Sequence, residues 1–295
     1  TNTIIKTVIM IIAISGAGGL IGKKLTTYFG SKGHEVRRIP RISAGTEATT
    51  VAVSVAGADV IINLAGAPII GRWTASYKKE LFESRILTTR KIVEAIGLNS
   101  EKPGLLISAS AIGIYASENE QTEDNFSKSD NFLGEICLAW ENEARKAIPL
   151  TRVAIARFGV VLDSHGGALA KMLPAFRFGL GGKVASGRQG FSWIHINDLA
   201  EAMNFLIENK DISGEFNFTA PGITDNAGFT KTLAGIVKRP AFFTVPAFAL
   251  KLIFGEGAIA LTGGQFATPK HLLDTGFRFS FPDLEGALKD ILLSK

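Results

Sequence analysis

The stretch SGAGGLIG, residues 15–22, constrains the fold of this chain more than any other. An apolar run, VIMIIAI, precedes it and an amphipathic stretch follows, which is the pattern of a buried strand turning into a helix. Glycines stand at 16, 19 and 22. A tight turn, a backbone open to a pyrophosphate and close helix–strand packing each require a missing side chain. The helix start then offers unpaired N–H groups and partial positive charge to phosphates. In that context Gly16, Gly19, Leu20, Ile21 and Gly22 are read as a dinucleotide-binding turn.

Downstream, short apolar runs alternate with amphipathic stretches. Strands are expected at Val8–Ser15, Glu35–Ile39, Asp59–Leu64, Leu105–Ser110, Arg152–Val161 and Glu215–Thr219. Helices are expected near Ile21–Lys32, Ala75–Ile96, Phe132–Ala147 and Asn197–Glu208. That rhythm implies an α/β fold, a Rossmann-type doubly wound parallel sheet, because parallel neighbours need crossover connections. Residues 1–222 would form this unit, with a Gly- and aromatic-rich insertion at about 163–193. Residues 223–295 would form a small, mostly helical substrate lobe.

The second strand distinguishes the two common dinucleotides. An NAD site expects a carboxylate at its end to hold the ribose hydroxyls; here Glu35 stands at its start, and Arg37, Arg38 and Arg41 stand towards its end. Arginine there pairs with a 2′-phosphate, so NADP(H) is expected over NAD, with Arg38 and Arg41 as the contacts and at least one of the three arginines merely solvated.

The single cysteine excludes an internal disulfide and fits a reducing compartment. The net charge of +5 suits small anionic molecules, and no Lys/Arg block is long enough to argue for nucleic acid. The N-terminal apolar run is too short to span a membrane, so a cytoplasmic protein with no membrane partner is the expectation. The four histidines and the cysteine lack metal-ligand spacing.

Several long motifs occur in order. Beside SGAGGLIG these are VIINLAG (60–66), ISASAIGIYA (107–116), the segment ARFGVVLDSHGGALAKMLPAFRFGLGGKVASGRQGFSWIHINDLA within 156–200, and RPAFFTVPAFALKLIFGE with LLDTGFRFSFPDLEGAL near the C-terminus. Together they resemble the extended short-chain dehydrogenase/reductase superfamily, and more closely its atypical subgroup labelled "epimerase family protein" or "cell-division inhibitor-like". The resemblance implies that Leu64 and Ala65 line the adenosine side, that Arg85 stands where relatives often carry a cofactor-facing asparagine, and that Val160 and Val161 approach the nicotinamide. It also implies homodimers through the long helices flanking the sheet. Met10 stands six residues before Gly16, as the family's first methionine usually does, so the resemblance leads to the expectation that residues 1–9 are an addition upstream of the family's start.

Active relatives carry Tyr-x-x-x-Lys on the helix after the family's serine motif, which ISASAIGIYA (107–116) resembles. The ammonium, one turn away on the same face, lowers the phenol's pKa from about 10 so that it can pass a proton. Anchored on Glu141, the stretch NFLGEICLAWE (131–141) puts Leu133 and Cys137 at those positions. The only literal match, Tyr28–Lys32, lies on the first helix, away from the chemistry. Ser110 remains the candidate catalytic group, able to hydrogen-bond a substrate carbonyl or simply to cap a turn. Cys137, in an apolar stripe, reads as packing, with a raised pKa. His195 and Asp198 read as structural, Asp198 as a helix cap. Lys171, Arg177 and Arg188 could grip an anionic substrate or be solvated. Two functions stay open: an oxidoreductase or nucleotide-sugar epimerase-like enzyme, and a non-catalytic NADP(H) sensor or interaction protein connected with cell division.

Overall fold

The computed structural model describes residues 9–293. The reading of residues 1–9 as an extension, and the expected strand start at Val8, therefore fall outside the described residues except at Ile9. Six strands form one all-parallel sheet: β1 (Ile11–Ser15), β2 (Glu35–Arg38), β3 (Val60–Asn63), β4 (Leu105–Ala111), β5 (Arg152–Phe158) and β6 (Gly214–Phe218). Their spatial order is β6-β5-β4-β3-β1-β2, so the winding reverses between β1 and β3. Open parallel sheets bind ligands at the carboxyl ends of their strands at such a reversal. VIINLAG supplies the third of these strands and ISASAIGIYA the fourth. No strand lies between β2 and β3, and the chain runs there through α2 (Ala48–Val55), a helix the sequence reading did not place.

Alternation along each strand assigns the two faces. Ile12, Ile14, Ile62 and Ile107 pack with Leu25 and Phe29 of α1 (Leu20–Ser31) and with Leu199 and Met203 of α6 (Ile196–Glu208). Ala13, Ile61, Leu106 and Ile155 face the other way, towards Val51 and Val55 of α2 and Ile92 and Ile96 of α3 (Ala75–Leu98). Strands buried on both faces read as continuous apolar runs for this reason. The remaining expected helix is α4 (Phe132–Arg145).

A separate apolar cluster forms beyond β5. Leu169, Leu173 and Phe176 of α5 (Gly167–Arg177) pack with Phe229 and Leu233 of α7 (Asn226–Val237), with Leu288 of the C-terminal helix (Leu284–Leu293), and around the buried Trp193. The 163–193 insertion thus shares its core with residues beyond 223. α8 (Ala247–Phe254) lies further out.

The C-terminal segment is tied back to the sheet unit by polar contacts. Asp198 does not cap α6. The cap is His195, whose Nδ1 accepts the Asn197 N–H at 3.0 Å, and Asp198 instead accepts the Ser280 and Phe281 N–H groups at 2.9 Å each. His271 places Nδ1 2.7 Å from the Glu215 carbonyl and Nε2 2.7 Å from Asp124. Burial alone depresses the His271 pKa, but the hydrogen bonds to Asp124 and the Glu215 carbonyl outweigh it and raise the pKa above the ordinary value. For a raised imidazole the stabilisation is fully present below the unfolded pKa, about 6.5, and is lost as pH rises through the folded value. His195 is depressed by burial and has the opposite sign, its contribution being lost as pH falls. Urea midpoints should accordingly decline as pH rises above about 6.5, and His271→Ala should flatten that decline while leaving the slope below about 6.5 in place. An unchanged slope above 6.5 in the variant would count against the His271 assignment.

Candidate functional site

At the β1/β3 reversal the turn after β1 closes on a hydrogen bond from Gly19 N–H to the Gly16 carbonyl, 3.0 Å. Gly16 has φ +71°, and a Cβ there would sit 2.9 Å from the Leu64 carbonyl carbon. Both the conformation and the space therefore exclude a side chain. A Cβ on Gly22 would meet the Gly16 carbonyl oxygen and Ala17, so the first turn of α1 packs directly on the loop. No side chain caps α1 and no acid stands in its first turn, leaving its positive end for an external anion.

A cavity of about 910 Å³ opens from this turn. Its floor is Ser15–Gly19 and its far wall Ala65–Pro68 after β3. One side is the Arg38–Ala44 segment that begins at the last residue of β2; the other is the face of α3 bearing Ser76, Lys79, Glu83 and Ser84. That volume suits a large small-molecule ligand. Behind it the floor is braced: Ser15 Oγ donates to Asn63 Oδ1 (2.6 Å), Asn63 Nδ2 to Thr89 Oγ1 (2.8 Å), and the Trp140 indole to the same hydroxyl (2.9 Å).

Of the residues singled out in the sequence, Gly16, Gly19, Arg38, Arg41 and Ala65 line this one cavity. The arginines separate by strand alternation. Arg37 turns to Glu35 (2.6 Å) and the Ala56 carbonyl (2.8 Å), whereas exposed Arg38 and Arg41 have no ion pair or side-chain hydrogen bond among the described residues. Leu20, Ile21, Gly22 and Leu64 do not line the cavity. Leu20 packs against Gly166 and Gly167 at the start of α5, and Ile21 and Leu64 pack on the core. Arg85 stands beneath the far wall, donating to the Ala67 carbonyl and to Leu81, each at 2.9 Å, with its guanidinium over Trp140. It therefore holds the wall rather than facing the cavity. Val160 and Val161 form a short ribbon with Trp193–His195 and do not line the cavity. The α3 face escaped the sequence reading, although Ser76, Lys79 and Glu83 recur at three- and four-residue spacing, which was the available signal.

The serine motif has a different setting. Ser110 is buried at the end of β4 and its hydroxyl donates to Glu141 Oε1 at 2.8 Å. Arg157 grips the same carboxylate with Nε (2.8 Å) and Nη2 (2.9 Å), and Arg145 reaches it at 2.8 Å. Arg157 Nη1 donates to the Tyr115 hydroxyl (2.8 Å), which donates to Asn217 Oδ1 (2.7 Å). Burial alone disfavours the Arg157 cation, yet the hydrogen bonds and charge of Glu141 outweigh it and raise its pKa, so the guanidinium stays charged. Leu133 and Cys137 close over Gly113, where a Cβ would sit 3.3 Å from Leu133 and 3.8 Å from the sulfur. Burial, then the nearby Glu141 charge, push the Cys137 thiol up to about 12, as its apolar stripe led one to expect. Tyr28 donates to Glu201 and Lys32 sits over its ring, so that pair is occupied on α1. Lys171, Arg177 and Arg188 are exposed and outside the cavity. Among the described residues no His/Cys/Asp/Glu cluster could hold a metal, and no helix is long and apolar enough to cross a membrane.

Known proteins match along nearly the whole chain. The mouse epimerase family protein SDR39U1 is 38% identical over 292 residues, covering 96% of this chain and 100% of the mouse protein. Epimerase family protein YfhF of Bacillus subtilis is 38% identical over 301 residues, covering 97% of this chain and 99% of its own. The crystal structure of the human SDR39U1 protein (isoform 2) with NADPH superposes with a TM-score of 0.90 at 35% identity, over 96% of this chain and 99% of that one. Residues 245–291 match a domain of unknown function (DUF1731). Because residues 12–218, well over half of the chain, match the NAD dependent epimerase/dehydratase family, and the similar proteins are epimerase family proteins over their full length, the chain belongs to that family and to its epimerase family protein subgroup.

Proposed function

We propose that this chain is an NADP(H)-binding, oxidoreductase- or epimerase-like protein that holds the dinucleotide at the β1/β3 reversal. The observation that carries this reading is the pairing of two features in one cavity: a glycine turn that a Cβ would block, and the unpartnered cations of Arg38 and Arg41. The turn and the uncapped start of α1 would take the pyrophosphate, and the Arg38–Ala44 segment the adenosine ribose with its 2′-phosphate. The human SDR39U1 protein, bound to NADPH, has the same fold over nearly the same length. When bound, the nicotinamide supplies a two-electron hydride donor or acceptor. Arg85 keeps the Ala67 wall in place, and the Ser15–Asn63–Thr89 chain fixes the floor.

The proton-transfer side is altered. Leu133 and Cys137 stand where active relatives carry the tyrosine and lysine, and neither is a proton donor at neutral pH. A lost acid/base group costs about 10²–10⁴ in rate. The second reading, NADP(H) binding without turnover, gains from a specific observation: the Ser110 hydroxyl is committed to Glu141, and the Tyr115 hydroxyl to Asn217.

Titration with NADPH and with NADH, followed through quenching of the tryptophans, tests the binding. NADPH should bind about 10- to 100-fold more tightly, since charge-assisted hydrogen bonds contribute about 1.5–3 kcal/mol. Arg41→Ala and Arg38→Ala should remove most of that preference while leaving NADH affinity unchanged. Equal losses for both dinucleotides, or binding of neither, would sink the assignment. Ser110→Ala should lower stability by about 1–3 kcal/mol, because it leaves a lone pair of a buried carboxylate unsatisfied, and should leave NADPH affinity within about twofold. Substrate-dependent NADPH oxidation by the wild type that disappears in a Ser110→Ala variant of undiminished stability would instead make Ser110 catalytic and exclude the second reading.

A further inference from the structure

The face around α8 has no counterpart in the cofactor site. Phe178 and Leu180 follow α5, and residues 242–248 are exposed without interruption. Phe242 is 90% exposed, Phe248 75% and Leu252, one turn further along α8, 77%. The segments lie side by side: Gly182–Val184 pairs in parallel with Phe243–Val245, Arg239 Nε donates to the Arg177 carbonyl at 3.2 Å, and α8 leaves directly from the ribbon. Eight of the fifteen exposed large apolar side chains among the described residues fall on these segments. Scattered exposed leucines are ordinary, but a contiguous aromatic surface signals a partner.

Charge identifies the kind of partner. Residues 164–197 contain four Lys/Arg and residues 226–255 another four, and neither stretch contains Asp or Glu. Lys183, Lys231, Lys238 and Arg239 ring a groove of about 600 Å³ whose apolar wall includes Phe242 and Phe243. Lys251 is exposed on α8 between Phe248 and Leu252. The acids that bound these stretches on the α7 and α8 side are engaged: Asp225 caps α7, and Glu256 pairs with Lys78 at 2.6 Å. A second copy would bring the same cations against themselves in a two-fold interface, which disfavours self-association.

We propose that this face is a docking surface for an anionic lipid membrane, with the Phe178, Phe242, Phe248 and Leu252 side chains entering the interface and the Lys183–Lys238–Arg239 ring meeting lipid phosphates. Peripheral attachment of this kind combines apolar burial with about 1 kcal/mol for each basic residue near the surface. It departs from the sequence-based expectation of no membrane partner, which concerned a spanning segment. It does not depend on the cofactor reading, because the groove and the dinucleotide cavity share no residue.

Co-sedimentation with vesicles of phosphatidylcholine and phosphatidylglycerol in equal parts, against phosphatidylcholine alone, tests it. The wild type should partition at least about tenfold more strongly onto the anionic vesicles, with the difference shrinking in high salt. Phe242→Ser/Phe248→Ser and Lys238→Glu/Arg239→Glu should each remove the binding while keeping the thermal midpoint and NADPH affinity. Equal partition onto both vesicles, or none, overturns the proposal from the wild type alone, whether or not the variants fold. A dimer in light scattering that Phe242→Ser/Phe248→Ser dissociates also overturns it and assigns the face to a second copy.

Discussion

The carboxylate of Glu141 organises the centre of this molecule. It is fully buried, and four donors converge on it: the Ser110 hydroxyl, two nitrogens of Arg157 and one of Arg145. Ser110 belongs to β4, Arg157 to β5 and Glu141 to α4, so one anion fixes a helix across two strands. The chain of bonds continues through Tyr115 to Asn217 on β6, whose N–H donates to Glu123 at 2.7 Å. Glu123 in turn accepts from Lys270 N–H at 3.1 Å, carrying the network into the C-terminal segment. Removing one member of a buried ion pair strands the other and costs about 3–5 kcal/mol, so such an arrangement tolerates little change.

That anchoring bears directly on the chemistry of the site. With Glu141 held, the helical turns before it present Cys137 and Leu133 to the serine motif, and Gly113 makes room for them. Polar capacity in this region goes to structure, while the dinucleotide side keeps its open features: an uncapped helix start, a backbone-lined turn and two exposed cations. An open, glycine-lined cavity at the β1/β3 reversal thus lies beside a serine motif whose polar groups are committed to internal bonds.

Legibility of the sequence followed the range of the interactions. The glycine turn and strand β1 were readable because turn, strand and helix are contiguous and each imposes its own local pattern. That Arg38 and Arg41 would stand beside the cavity was readable because Arg38 ends a short strand at a known place in the topology and Arg41 follows it. The position of Arg85 was not, since its partners, the Ala67 carbonyl and the Trp140 ring, lie on separate elements. Asp198 was read as a helix cap from its place in the first turn of α6, and the structure instead gives its carboxylate to Ser280 and Phe281. α2 was missed because its sequence, ATTVAVSV, is β-branched and has low helix propensity; packing of Val51 and Val55 on the sheet overrides that preference.

By itself the sequence determined the parallel α/β architecture, the place of the glycine turn and the identities at positions 133 and 137, because these rest on periodicity, backbone freedom and residue type. Tertiary structure alone decided which groups are available. It turned Ser110 towards Glu141, set Arg85 under a loop, sorted Arg37 from Arg38, and gathered Phe178, Phe242 and Phe248 on one basic face from segments sixty or more residues apart. The physical reason is that a hydrogen bond or an ion pair between distant residues is set by where the sheet brings their backbones, and no local pattern in the chain records that placement.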